Sequence, residues 1–481
     1  MHVKKITKSK IVCTIGPASE NKIDQLIKAG MDCARLNFSH ASHDFHIKVF
    51  NQIRKFSSKI PIIFDIQGPK IRIGDLDDNY MIHSGEDFIL TTENILGNNK
   101  IATIMYKDLV NEVDLGDRIF INDGIICLEV MEIKKDEEIH CKVLTGGPIS
   151  SKKGVNVPHA KISAKVPTKK DIVDIKLAAE LGADFLAVSF VSNVEEIENI
   201  KNLFKKYSSI KPGIIAKIER PIALNNFGPI LDASYGIMVA RGDLGVELSP
   251  ENVPAVQKDL ILKCNRIGKP VICATQMLES MTLSPIPTRA EASDVFNAIF
   301  DGADALMLSA ETASGHFPVE SVKMMDSIAR TAEAKFQRKD PTYYNSKKPD
   351  NAEVLGLATH QILQNIEERG DKVDAVIVVT RTGYSARMVA KYRPEVPIIA
   401  ATFTPEVYRK LFLVWGVESL LLDVPEEMDQ FSKNLNAIRL SIKEKHIDND
   451  DIILLVSGSL MAPKAKTCNI FLFNVNEIEG I

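Results

Sequence analysis

Apolar runs of strand length alternate with amphipathic segments of helix length, and this alternation narrows the folds open to the chain more than any single motif does. It starts with Lys10–Ile15, a helix near Lys22–Ala29, Cys33–Phe38, a helix over Asp44–Phe56 and the strand Pro61–Ile66. After Gln67-Gly68-Pro69 the texture changes to short alternating segments, Met81–Leu90, Arg118–Ile121, Ile125–Ile133 and Glu138–Val143, with turn residues between them and no long helix. This reads as an all-β insertion. The first pattern resumes with a helix over Lys169–Leu181 and strands at Asp184–Phe190, Gly213–Glu219, Tyr235–Ala240, Pro270–Thr275 and Ala303–Leu308. With the three strands before the insertion these make eight, and eight strand–helix units predict a closed (β/α)8 TIM barrel. An open doubly wound sheet is the alternative. A polar stretch at Gln337–Asn351, containing Pro341 and Pro349, reads as a linker to a last α/β region. The expected division is a barrel over 1–69 and 166–340, an inserted small β-barrel lid over 70–165, and a C-terminal α/β domain over 341–481.

In such a barrel, chemistry gathers at the C-terminal ends of the strands. Polar groups stand there strand after strand: Arg35, Asn37 and Ser39; Asp65; Ser189; Lys217 and Glu219; Asp243; Thr275 and Gln276; Ser309 and Glu311. The run Gly213–Arg220 is the most telling. Strand side chains alternate, so Lys217 and Glu219 face the same space, where an ammonium and a carboxylate need ionic partners once water is removed. A phosphate and a divalent metal would complete the set. The next strand runs into Arg241-Gly242-Asp243, which offers a second carboxylate, and two carboxylates with substrate oxygens and water suit Mg2+. A salt bridge at a strand end is the plainer reading of Lys217 and Glu219 taken alone.

A net charge of −4 with no long basic run argues against nucleic acid or a membrane surface as partner. Seven cysteines, an odd number without CxxC spacing, read as buried thiols in a reducing compartment. The basic Met1–Lys10 precedes an apolar run broken by Thr14, Gly16 and Pro17, too short for a signal sequence, and no stretch has the ~20 apolar residues of a membrane span. A cytoplasmic protein is expected.

The segments Lys10–Pro17 (KIVCTIGP), Arg35–His40 (RLNFSH), Gln67–Arg72 (QGPKIR), Lys153–Asn156 (KGVN), Ala216–Glu219 (AKIE), Ala240–Gly245 (ARGDLG), Ala274–Ser280 (ATQMLES), Pro287–Glu291 (PTRAE) and Met307–Thr312 (MLSAET) together resemble the pyruvate kinase family, in order, across the barrel and its insertion. The resemblance implies phosphoryl transfer from phosphoenolpyruvate to ADP, giving pyruvate and ATP, usually by a homotetramer. It implies that Glu219 and Asp243 hold Mg2+, with Mn2+ as a substitute. Lys217 would neutralise the phosphoryl group and the enolate oxygen, with Arg35 and Arg72 flanking the phosphate. The backbone of Ala240, Arg241, Gly242 and Asp243 would approach the substrate carboxylate. Thr275, backed by Ser309 and Glu311 through water, would relay a proton to enolpyruvate; substrate positioning alone is the alternative for Thr275. Asn37, His40, Arg72 and Lys153 would bind nucleotide, and Asp123 would sit on the closing lid. A Mg2+-dependent enolate lyase or aldolase is the rival enzyme reading, and a catalytically silent effector sensor is the reading from another class.

The resemblance extends to two regulatory features. The loop Thr380-Arg381-Thr382-Gly383-Tyr384-Ser385 matches one that carries an allosteric phosphate in the family, and Lys464 and Lys466 later in the chain favour a monophosphate. The chain departs from the commoner family pattern at Lys70, where most members have Glu and need K+ bound by groups matching Asn37, Ser39, Asp65 and the carbonyl of Ile66. The ammonium of Lys70, placed across a tight turn from Asp65, is expected to fill that site and remove the need for K+.

Overall fold

The computed structural model describes residues 7–134, 137–158, 160, 162–336, 349–458 and 469–478. Most of the expected linker, Cys468, and Lys464 and Lys466 lie outside the described residues. Eight parallel strands, Lys10–Thr14, Cys33–Asn37, Ile62–Ile66, Phe185–Val188, Gly213–Ile218, Gly236–Ala240, Val271–Ala274 and Ala305–Leu308, close into a barrel in chain order. The first strand pairs with the last, Lys10 opposite Ala305 and Cys13 opposite Leu308. That pairing rules out the open sheet.

All but one of the barrel-strand positions are buried, because helices cover the outer face and side chains fill the interior. Ile11, Leu36, Phe64 and Val239 pack outward with helical residues such as Phe50, Ile200 and Val295. Val12, Ile63, Phe185, Ile215, Met238 and Met307 pack inward, and Leu413 of the C-terminal region joins them. Tyr235, just ahead of its strand, donates its hydroxyl to Lys410 O at 3.3 Å, so this region stoppers the end of the barrel opposite the strand C-termini. Capping boxes at Thr168, Asn193 and Thr288 start three of the outer helices.

The strands between Ile66 and Lys169 stand outside the barrel around their own apolar core. They pair as a six-stranded sheet and a separate two-stranded one, and the segment Arg72–Ile73 bridges both edges of the larger sheet, Arg72 to Gly154 and Ile73 to Ile104, which closes the ring expected of a small β-barrel. The expected single strand Met81–Leu90 is two, Tyr80–Ile82 and Asp87–Thr91, because Gly85 turns the chain at φ +88°. The C-terminal sheet runs Val417–Leu421, Ile398–Thr402, Ala375–Val379, Ile452–Ser457, Asn469–Asn474, with only the last strand antiparallel and apolar clusters on both faces.

Buried ion pairs join this region to the barrel. Asp184, at the start of a barrel strand, accepts from Arg54 at 2.6 Å and from Arg409 of the C-terminal region. Arg393 stacks on Trp415 and donates to Gly302 O at 2.6 Å. All six cysteines among the described residues are free and buried, and no described helix is long and apolar enough to cross a membrane.

Candidate active site

Lys217 ends an apolar strand and meets three barrel neighbours at once. Its Nζ lies 2.9 Å from Glu219 Oε1 and 3.4 Å from Asp65 Oδ1, and donates to Ser189 Oγ at 2.7 Å. Ser189 in turn donates to Ile66 O at 2.8 Å. Arg35 donates from Nε to Asp65 Oδ2 at 2.7 Å and from Nη1 to Thr14 Oγ1 at 2.9 Å. Two cations and two carboxylates thus form one buried, charge-balanced network. Burial alone would lower the Lys217 pKa, but Asp65 and Glu219 hold it above the ordinary value, so the ammonium stays charged. Burial pushes Asp65 up and is outweighed by Lys217 and Arg35, which keep its carboxyl below the usual range. Glu219 goes the other way: burial raises it, Lys217 opposes, and Asp243 adds to the rise. Glu219 and Asp243 therefore face one space, where a cation would relieve both.

Asp243 lies in the first turn of the short helix Arg241–Glu247, and its Oδ1 accepts from Lys70 Nζ at 3.0 Å. This corrects the expected pairing of Lys70 with Asp65. The Asp65 carboxylate is already taken by Arg35 and Lys217, whereas Lys70 crosses the barrel mouth under the lid. It passes over Gly154, where a Cβ would come within 3.1 Å of Lys70 Cε.

Thr275 has a left-handed backbone, φ +70°, and its hydroxyl accepts from Gly242 N at 2.7 Å while donating to Ala274 O. A Cβ on Gly242 would press to 3.4 Å from that hydroxyl. Phe190 and Gln276 also have positive φ, +58° and +53°, so three non-glycine strain points sit at the barrel mouth. The side chain of Arg241 turns away from this space: it pairs with Asp294 at 2.7 Å and donates to Thr275 O at 2.8 Å, bracing the loop. Glu311 is fully buried and accepts from Ser309 N at 2.7 Å and Leu278 N at 3.0 Å. Its carboxylate is a loop clasp, while Ser309 Oγ is buried with no partner among the described residues.

Across the mouth, Asn37 Oδ1 accepts from Ser39 N at 3.1 Å, and Arg72 donates to Lys152 O at 2.8 Å. Partial burial, then the cations Arg72, Arg35 and Lys70, lowers the His40 pKa, which places that imidazole toward the same positive space. Lys153 accepts at its carbonyl from Ile73 N at 3.0 Å, and Asp123 lies in a left-handed turn, φ +53°. The adjoining Gly124 comes up against Val246 of the Asp243 helix.

The sequence named Ser189 only as a strand-end polar group. Its role as the hydroxyl that orients Lys217 was missed, as was Phe190, whose N–H donates to Glu219 Oε2 at 2.6 Å. Among the described residues no three His, Cys, Asp or Glu side chains form a metal-binding cluster. Glu219 and Asp243 are two hard oxygen donors, a set that fits Mg2+ completed by substrate and water.

In the C-terminal region, Thr380–Ser385 follows the strand Ala375–Val379, next to Ile452–Ser457, where the strand order reverses. Thr380 Oγ1 accepts from Gly383 N at 3.1 Å, Thr382 Oγ1 from Tyr384 N at 3.4 Å, and Gly383 takes φ +77°. Arg381 pairs with Glu426 at 3.3 Å on the surface.

Comparison with known proteins gives two family matches and several close relatives. A family model described as the pyruvate kinase barrel domain matches residues 6–322, and one described as the pyruvate kinase alpha/beta domain matches residues 360–471. A pyruvate kinase of Sporosarcina psychrophila is 41% identical over 480 residues, covering 97% of this chain and 80% of the relative. A pyruvate kinase of Geobacillus stearothermophilus is 40% identical over 487 residues, covering 98% and 81%.

Proposed function

This chain belongs to the pyruvate kinase family of phosphotransferases, and from that premise we propose that the barrel mouth transfers the phosphoryl group of phosphoenolpyruvate to ADP, with Glu219 and Asp243 holding Mg2+. One observation carries the assignment to residues: a permanently charged Lys217, fixed by Ser189, Asp65 and Glu219 at the ends of adjacent strands. Phosphoryl transfer needs positioned positive charge more than covalent chemistry, and this ammonium is pre-oriented in a water-poor site. The metal, held by Glu219 and Asp243, would supply further positive charge to the transferring phosphoryl group.

Arg35, braced by Asp65 and Thr14, presents its remaining N–H groups to the phosphate, and Arg72 approaches from the lid. Small residues in Ala240–Asp243 leave room for the substrate carboxylate beside Thr275. The Thr275 hydroxyl, poised between Gly242 N–H and Ala274 O, positions the enolate carbon or relays its proton. The unpartnered hydroxyl of Ser309 suits the relay, and Glu311, engaged by two backbone N–H groups, holds that loop.

The finer parts of the proposal are a lid over 70–165 on a barrel of 1–69 and 166–340, K+ independence through Lys70, and a cytoplasmic homotetramer. Residues 341–481 would bind a phosphorylated activator at Thr380–Ser385, and the position of that loop at a strand-order reversal supports it. A lactate dehydrogenase-coupled assay with phosphoenolpyruvate, ADP and Mg2+ tests the central reading. ADP-dependent pyruvate release is expected, and pyruvate formation without nucleotide would overturn it in favour of a lyase. A panel of sugar and nucleoside monophosphates that left the phosphoenolpyruvate curve unchanged would remove the activator.

A further inference from the structure

A cavity of about 480 Å3 opens between the two hinge strands of the lid and the barrel, and no residue assigned above to substrate, nucleotide, metal or effector lines it. Its walls are of two kinds. Ile71, Val155, Val157 and Ile162 from the hinge and Phe190 from the barrel make an apolar side. Among the described residues, Lys165, Arg220, Glu196 and Glu247 supply the charge, two positive and two negative. Arg220 stacks its guanidinium over the Phe190 ring at 5.1 Å, and among the described residues that guanidinium makes no hydrogen bond or ion pair. Glu247 uses one oxygen, Oε1, to accept from Asn156 at 2.9 Å, and Glu196 uses only Oε2, on the N–H groups of Ser192 and Asn193. Each carboxylate therefore keeps one oxygen for another partner. Burial raises the pKa of both, and their hydrogen bonds and the nearby Arg220 offset it only in part.

We propose that this hinge cavity binds a small zwitterion with an apolar body, of the free amino-acid class. Its carboxylate would be taken by the Arg220 fork, its ammonium by the spare oxygens of Glu247 and Glu196, and its side chain by the apolar wall. The charge count of the described lining residues argues against simpler occupants. A lone anion would meet two carboxylates, and a lone cation would meet Arg220 and Lys165, whereas a zwitterion completes both sets. The volume lies within the range of small-ligand sites. Occupancy would bear on the catalytic centre through two short links. The Phe190 N–H holds Glu219, and Glu247 ends the helix that carries Asp243. Because the hinge forms one wall, the ligand would also favour the lid angle at which Asn156 meets Glu247.

The test is calorimetric titration of the full-length protein with L-leucine and L-phenylalanine, without substrates, so that it does not depend on turnover. The single-charge analogues 4-methylpentanoate and isopentylamine serve as controls. Binding is expected to be at least about tenfold tighter for L-leucine than for either analogue, and about tenfold weaker in Arg220→Met, the loss of one charge-assisted contact. Glu247→Gln should weaken the amino acid while leaving 4-methylpentanoate unchanged or improved. Should Arg220→Met fail to fold, Arg220→Lys, which keeps the charge and loses the fork, should show an intermediate loss. No binding of either amino acid at about 10 mM, equal binding of analogues, or undiminished binding by the Arg220 variants would overturn the proposal.

Discussion

Lys70→Met removes an ammonium and keeps the length of the side chain, so it isolates the charge that stands 3.0 Å from Asp243. Two unit charges at that distance attract by about 5–6 kcal/mol at an effective dielectric of about 20. Each side chain is about one-fifth exposed, so desolvation and screening take back more than half, leaving about 2 kcal/mol, a factor of about 30 in an equilibrium. If the Lys70 ammonium serves where a monovalent cation would otherwise be needed, the unmodified protein should be fully active in tetramethylammonium buffer. Lys70→Met should lose about 30-fold in kcat/KM there and recover most of it with about 100 mM K+. Lys70→Glu should depend on K+ more steeply, because it adds a carboxylate beside Asp243. The assay is the coupled one, in matched ionic strength, with K+ as the only variable. Strong K+ activation of the unmodified protein would refute the reasoning, as would a Lys70→Met enzyme indifferent to K+ and equal to its parent.

Asp243→Ala should lower turnover at saturating Mg2+ by at least about 100-fold, since it removes a metal ligand and also frees Lys70 beside Lys217 and Arg35; near-normal kcat would remove Asp243 from the metal site. Asp184→Ala strips the shared carboxylate from Arg54 and Arg409 and an acceptor from Ile62 N–H, and should destabilise the barrel by about 3 kcal/mol, read as a lowered thermal midpoint. Asp32, which accepts from Ile11 N–H, is raised to about 7, chiefly by burial. Its folded pKa exceeds its unfolded one, so its contribution falls as pH rises from about 4 to 7. Asp32→Asn should therefore gain on its parent across that window in denaturant midpoint, and a constant difference between the two would show that Asp32 titrates normally.

The eight barrel strands were legible because each is a short apolar run bounded by helix-length amphipathic segments, and the strand ends announced themselves by polar residues where apolar ones would continue. The lid was less so. Residues 101–103, 147–149 and 155–156 form strands of two or three residues, too short to show a period of two. Lys70 shows the other limit. Its tight-turn neighbour is the natural partner in sequence, but Asp65 is claimed by cations from two other strands, and barrel closure brings Asp243, 173 residues away, within reach. Ser189 and Phe190 were obscured for a similar reason: a serine's choice of partner and a positive φ at a phenylalanine depend on what the neighbouring strands deliver.

Pairing Lys10–Thr14 with Ala305–Leu308 has a consequence for synthesis. The first strand of the barrel to be made cannot close the ring until roughly 300 further residues have followed, about 15–60 s at 5–20 residues per second. For that interval the growing sheet keeps an open edge at each side, the state most prone to pairing with another chain. The lid lengthens the wait but has its own apolar core, so it can fold while the barrel stands incomplete. Lys10, at the exposed edge, carries a charge before Val417 and Glu418 arrive to cover it, which discourages edge-to-edge association of nascent chains.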